Sequence, residues 1–329
     1  MTLHLSELGM MSSEEKGNLL AMLLEDPLLA TPAVAPEKTK AKTRGPAPDV
    51  RFELLGPLVM KHGDVDFAPN APKLRATLAT LLFNANRSVA ASALTRELWS
   101  DEPPRSAQAT LQTYVFKLRK LFRSALNVST EYVNQELLLT HSGGYTLLVD
   151  ADQLDITEFE RLVVTGSNDL HEGDYDRAAT DLRRALALWR GPVIPDLQWG
   201  TQLRAHVARL EERRFYAHTM RIEADLCLGR HREMISELAS VVVEHPLHES
   251  AHVMLMTALH RAGRTAAALE VFMRFRRRML QELGIEPSAR IQSLHMALLK
   301  NDGMLDDRGL TSEMLLDRLA GSRGKPRAA

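Results

Sequence analysis

The chain has 329 residues, enough for two domains that each bury a core of their own. Its 45% hydrophobic and 25% charged residues are the balance of an ordinary globular protein, and 5% aromatics in an Ala-, Leu- and Arg-rich body favours helices over a large sheet. A net charge of -1 excludes a polycation that coats nucleic acid, so any DNA surface must be a local one. The single cysteine, Cys227, excludes an internal disulfide and a Cys-based zinc site, and within Leu226-Cys227-Leu228 it reads as an inert buried thiol. No apolar run approaches the ~18 residues of a membrane span, and a signal-peptide pattern is missing, so the expected location is cytoplasmic, with no membrane partner.

In chain order, residues 1–49 form an N-terminal extension. Ser12-Ser13-Glu14-Glu15 looks like a helix start, running through Leu24. Thr31 to Pro48 interleaves four prolines with Lys38, Lys40, Lys42 and Arg44 and reads as a flexible basic linker. The texture changes at Val50. Val50 to Gly56 alternates like a half-buried strand, and Val65-Asp66-Phe67 suggests a second. Pro72 opens a helix whose apolar stripe is Leu74, Leu78, Leu81 and Leu82. Ser92 to Trp99 predicts a second helix and Arg105 to Leu126 a third, with Asp101-Glu102-Pro103-Pro104 as the break between them. Leu137 to Thr140, His141-Ser142-Gly143-Gly144 and Tyr145 to Val149 read as a β-hairpin. Strands, three helices and a hairpin, over residues 50–150, are the order of a winged helix. Residues 151–303 read as an all-α helical-repeat domain. Gly229 and Gly263 each close an Ala-x-x-x-x-Gly-Arg pattern and lie 34 residues apart, the tetratricopeptide period. Gly173 precedes Gly229 by 56 residues, which implies an insertion around Trp189 to Gly200. Residues 304–329 read as a polar, frayed C-terminal tail. The predicted fold is therefore mainly α with a small β component.

The third helix carries the functional signal. At 100° per residue Leu111, Val115, Leu118 and Phe122 share one narrow face, while Ser106, Thr113 and Lys120 lie opposite, with Thr110, Lys117 and Phe116 beside them. Arg105 to Arg123 holds five basic residues and no acidic one, against six basic and nine acidic in the rest of 51–150. A helix fits the major groove, so Thr110 and Thr113 are candidates for base edges and Gln112 for adenine. Lys117 and Lys120 suit phosphates, which give affinity without sequence.

Several motifs bear a family resemblance: Pro72-Lys73-Leu74-Arg75-Ala76, Leu98-Trp99, Pro103-Pro104, Ala109 to Val115, Lys117-Leu118-Arg119-Lys120 and Gly143-Gly144-Tyr145. Further along come Asp155-x3-Phe159, Ala187 to Gly191, Ala258 to Arg264 and Glu282 to Pro287. With these, residues 50–300 resemble the SARP family, the streptomyces antibiotic regulatory proteins. The resemblance implies an OmpR-type winged helix followed by a bacterial transcriptional activation domain. It also implies an activator of a secondary-metabolite gene cluster that binds direct repeats in double-stranded promoter DNA, as a homodimer on DNA, and contacts RNA polymerase holoenzyme. By position it places Arg105, Thr110, Gln112, Thr113, Tyr114, Lys117 and Lys120 at the DNA, with His141 and Ser142 at the wing. Related wings often carry arginine where His141 stands, which implies a weaker, pH-sensitive wing contact. Larger relatives add an ATPase domain, whereas Gly321 to Pro326 only loosely echoes a phosphate-binding loop. Residues 1–49 are too few for a phosphoacceptor domain.

Competing signals point elsewhere. His248-Glu249-Ser250-Ala251-His252 matches the H-E-x-x-H metalloprotease pattern, with Glu270 as a possible third ligand, although Met254, Leu255 and Ala258 give the segment ordinary helix packing. Trp189 and Trp199 could line a small-molecule pocket, but read better as packing anchors. Arg274, Arg276, Arg277 and Arg278 read as an ion-paired solvated face. The expectation is a DNA-binding regulator, not an enzyme, without cofactor or metal; the alternative is a helical-repeat adaptor that does not read DNA.

Overall fold

The computed structural model describes residues 49–322 apart from Asp101 and Arg308. The expected N-terminal helix, the basic linker and the terminal Arg323, Lys325 and Arg327 lie outside the described residues. Alternation at the start of the described chain buries Phe52 between exposed Arg51 and half-buried Glu53, giving β1 (Arg51–Glu53). It pairs antiparallel with β2 (Val59–His62), which pairs with β3 (Val65–Asp66). Then follow α1 (Pro72–Phe83), β4 (Val89–Ala90), α2 (Ala91–Trp99) and α3 (Ala107–Leu126). The hairpin is β5 (Leu138–His141) and β6 (Gly144–Leu147), in a second sheet ordered β4-β6-β5. The fold is thus the expected winged helix, with two strands that the sequence pattern did not mark. Strand β4 is two residues long and exists through its pairing with β6, and β2 has no clean alternation.

The wing turn is tighter than expected. His141 pairs with Gly144, leaving Ser142-Gly143 as a two-residue loop, with Gly143 at φ +92°. Gly144 sits so close to β4 that a Cβ would stand 2.5 Å from the Val89 carbonyl oxygen. Gly144→Ala should therefore lower stability by ~1–3 kcal/mol, readable by urea unfolding, because backbone rather than a flexible side chain must give way. An unchanged unfolding midpoint would mean that β4 is free to shift.

The rest is helical: α4 (Asp155–Glu172), α5 (Tyr175–Ala187), α6 (Thr201–Cys227), α7 (His231–Glu244), α8 (Glu249–Arg261), α9 (Thr265–Leu283), α10 (Ala289–Lys300) and α11 (Ser312–Ser322). Gly173, Gly229 and Gly263 all adopt left-handed φ of 78–83° just past the first helix of a pair, at α4–α5, α6–α7 and α8–α9. The 34-residue spacing is thus two successive helical hairpins, turned by the same glycine-arginine corner.

The insertion between α5 and α6 joins the two halves. The Arg190 amide donates to the Leu55 carbonyl at 2.7 Å and the Ile194 amide to that of Gly56 at 2.8 Å. Val193 and Ile194 are fully buried, and Arg75 pairs with Asp196. At a second seam the Glu97 carboxylate on α2 accepts from the Gln202 and Leu203 amides, capping the start of α6. At a third, Asp155 accepts from the Leu54 and Leu55 amides at 2.8–3.0 Å. One apolar cluster consequently runs from Val50 to Met220 without a break at residue 150.

The C-terminal segment corrects the sequence reading. Residues 304–322 were expected to fray, yet Leu305, Leu310, Leu315, Leu316 and Leu319 are buried in the second core, and Arg261 donates to the Leu305 and Asp307 carbonyls. The Ser312 amide, at the start of α11, donates to Glu223, whose carboxyl burial pushes up. Five leucines among many polar residues are a sparse stripe, and it became core because α8 and α10 present a complementary face.

Candidate nucleic-acid interface

Helix α3 divides sharply. Leu111, Val115, Leu118 and Phe122 are 0–2% exposed, and Phe122 meets Phe52 edge-on at 6.4 Å. Across the helix Gln112, Thr113, Phe116, Lys117, Lys120 and Arg123 are exposed, as is Arg105 in the preceding turn. Neither Lys117 nor Lys120 has an ion-pair partner among the described residues, and no carboxylate stands in the first turn. The helix thus presents a cationic face whose charges are not neutralised internally. The Thr113 hydroxyl donates to the Ala109 carbonyl at 2.9 Å, so towards an outside group it has only its acceptor capacity left.

Two of the expected residues sit apart from that face. Tyr114 is half-buried and stacks on Trp99, with ring centroids 6.3 Å apart and planes 13° from parallel, and Lys73 lies 4.5 Å over the same indole. Its ring joins α3 to α2. Thr110 is half-buried on the same flank. Arg119 does a job that charge counting missed: its guanidinium donates to the Leu138 carbonyl and the Thr140 hydroxyl, both at 2.7 Å. This clamp sets β5 against α3, and with it the exposed wing residues His141 and Ser142. The signal for it was its helical position, at the margin of the core stripe rather than opposite it.

The histidines and tryptophans behind the competing motifs are committed to packing. His248 is the residue ahead of α8, not part of its face, and its ring meets Phe215 edge-on at 4.7 Å. His252 packs on Phe275 at 4.3 Å and its Nε2 lies 3.0 Å from the Pro246 carbonyl; burial lowers the pKa of both imidazoles. Glu249 accepts from the Ser288 amide and hydroxyl, and Glu270 is exposed on α9. Trp189 is buried edge-on to Phe159 at 5.4 Å under the Arg214 guanidinium, and Trp199 donates to the Ile194 carbonyl. Both anchor the inter-domain insertion. Arg276 and Arg278 pair with Glu286 and Glu282, as an ion-paired face should. Burial and Glu223 push the Cys227 thiol up to about 12, which keeps it protonated. No described helix is long and apolar enough to cross a membrane.

Comparison with known proteins places these features. The family described as bacterial transcriptional activator domain matches residues 154–299. The chain is 41% identical over 260 residues to regulatory protein DnrI of Streptomyces peucetius, covering 79% of this chain and 96% of that protein. It is 32% identical over 267 residues to regulatory protein AfsR of Streptomyces griseus, of which it spans 26%. Among solved structures, Mycobacterium tuberculosis EmbR in complex with a low-affinity phosphopeptide superposes with a TM-score of 0.74 at 31% identity, covering 84% of this chain and 70% of that one. A winged helix fused to a bacterial transcriptional activator domain, shared with regulators across these lengths, is the architecture of a transcriptional activator, and the chain belongs to the SARP family, the streptomyces antibiotic regulatory proteins.

Proposed function

We propose that the protein activates a secondary-metabolite gene cluster by binding direct repeats in double-stranded promoter DNA as a homodimer. Helix α3 lies in the major groove, and the His141-Ser142 wing meets the adjacent groove or backbone. The observation that carries this reading is the exposed face of α3, with Gln112, Thr113, Lys117 and Lys120 outward and internally uncommitted cations on it. Arg105 joins that surface from the preceding turn. Tyr114 acts by holding α3 on α2, and Thr110 sits at the margin of the contact. The helical domain, locked to the winged helix through Asp155, Glu97 and the Arg190 loop, is held in one orientation towards RNA polymerase holoenzyme in the cytoplasm.

Footprinting on the promoters flanking the gene tests this reading. Two protected half-sites in direct repeat, about one helical turn apart or a multiple of it, are expected. No protection on any of those promoters would favour an adaptor that does not read DNA. A finer expectation concerns Thr113, whose hydroxyl can only accept and therefore matches the amino group of adenine or cytosine. Thr113→Val keeps the shape and should relax the preference at one base position by ~1–3 kcal/mol, seen as a loss of information there when binding sites are selected from random DNA. An unchanged selected motif would remove Thr113 from base contact.

A further inference from the structure

Phe116 is the most exposed aromatic side chain among the described residues, at 67%, and it sits in the middle of the α3 face. With 100° per residue it projects about 60° from Thr113 and about 40° from Lys120, nearly opposite the Leu118 side of the core stripe. Gln112 is four residues before it and Lys120 four after, so the three form one row along the helix. Its ring makes no stacking contact with another aromatic group among the described residues, unlike Tyr114 two positions earlier. An apolar ring left in water at this place forfeits burial that only an outside surface can restore.

The major groove offers one apolar group at its floor, the C5-methyl of thymine, and phenylalanine is among the side chains suited to contact it. Lys117, Lys120 and Arg123 around the ring supply phosphate contacts that would hold it at that depth. We propose that Phe116 is a specificity-determining residue whose ring packs on a thymine C5-methyl in each half-site. This rests on α3 lying in the major groove.

The test uses the full chain and a duplex that it selects from a random pool. Each thymine is replaced in turn by deoxyuridine, which removes only the methyl, and binding of the wild-type and Phe116→Ala proteins is measured by fluorescence anisotropy. One thymine per half-site should weaken wild-type binding about fourfold when demethylated, the worth of one buried methyl group. At that same position Phe116→Ala should bind the thymine and deoxyuridine duplexes equally. Superposable circular dichroism and melting would establish that the surface variant is folded, and Phe116→Leu should retain part of the discrimination. The inference is overturned if no deoxyuridine substitution affects the wild type, or if Phe116→Ala keeps the full methyl discrimination. It is also overturned if Phe116→Ala binds DNA normally but loses transcription, which would assign the ring to a protein partner. A wild-type protein that selects no duplex at all would instead refute the placement of α3 in DNA.

Discussion

Asp155→Ala is expected to lower the unfolding free energy by roughly 2–5 kcal/mol, although the residue lies about a hundred positions from the groups it serves. Its carboxylate is 3% exposed and accepts from the Leu54 and Leu55 amides, while Leu154 bridges to Phe52 alongside. Truncation would orphan two buried amides at the seam between the winged helix and the helical domain. Burial raises the carboxyl pKa to about 6, against the lowering effect of the two amides and of Arg190. A carboxyl whose folded pKa exceeds its unfolded value binds its proton more tightly in the native state. Its contribution is therefore largest below pH ~4 and is lost as pH rises through about 6, a fall of about 3 kcal/mol over that window. Asp155→Asn keeps an oxygen acceptor without the buried charge. It should stay within about 1–2 kcal/mol of the wild type at pH 7 and flatten this component of the pH dependence. Urea unfolding at pH 4, 5, 6 and 7 measures both variants. If Asp155→Ala unfolded like the wild type, or Asp155→Asn kept the full slope, the seam would not rest on this group.

The second large effect belongs to binding. Lys117→Ala combined with Lys120→Ala should make the slope of log K against log salt shallower by about 1.8, since each phosphate contact contributes about 0.9. At ~0.1 M salt the same relation, taken from ~1 M, gives an affinity loss of about 60-fold. The sequence motif selected by the double variant should stay the same, because phosphate contacts position the protein without reading bases. Both lysines are exposed, so stability should move by no more than ~0.5 kcal/mol. Anisotropy titrations between 50 and 300 mM salt would show it. An unaltered salt slope would move the phosphate contact away from α3.

A continuous path of contacts joins α3 to the helical domain. Helix α2 packs on α3 through Trp99 and Tyr114, and the same helix caps α6 through Glu97. Three elements thus form a rigid chain of contacts from the proposed groove-reading face to the helical repeats. The Asp155 seam and the Arg190 loop, with its Arg75–Asp196 pair, brace it from the other side.

Where a signal is local, it was legible in the amino-acid order. The stripe of Leu111, Val115, Leu118 and Phe122 placed one face of α3 inward, because helical geometry alone relates residues three and four apart. The Ser142-Gly143-Gly144 run marked the hairpin, and the glycines 34 residues apart marked the helix pairs, because only glycine adopts those corners without strain. Those features determined the architecture, and with it the helix that turns a cationic face outward. What the order of residues did not hold was the outcome of surfaces meeting. Arg119 and Lys117 read alike as charges, yet the approach of β5 turned the first into a clamp and left the second without an ion-pair partner among the described residues. Nothing local to Asp155 or Glu97 shows that a distant backbone edge and a helix start come to rest on them. The leucines of α11 became core only where α8 and α10 offered a face to cover. Periodicity and turn chemistry act within a few residues, whereas the partner of a buried polar group is chosen by which elements pack. The winged helix and the outward cationic face of α3 were therefore decided by sequence alone, and the braced junction behind that helix by the tertiary structure.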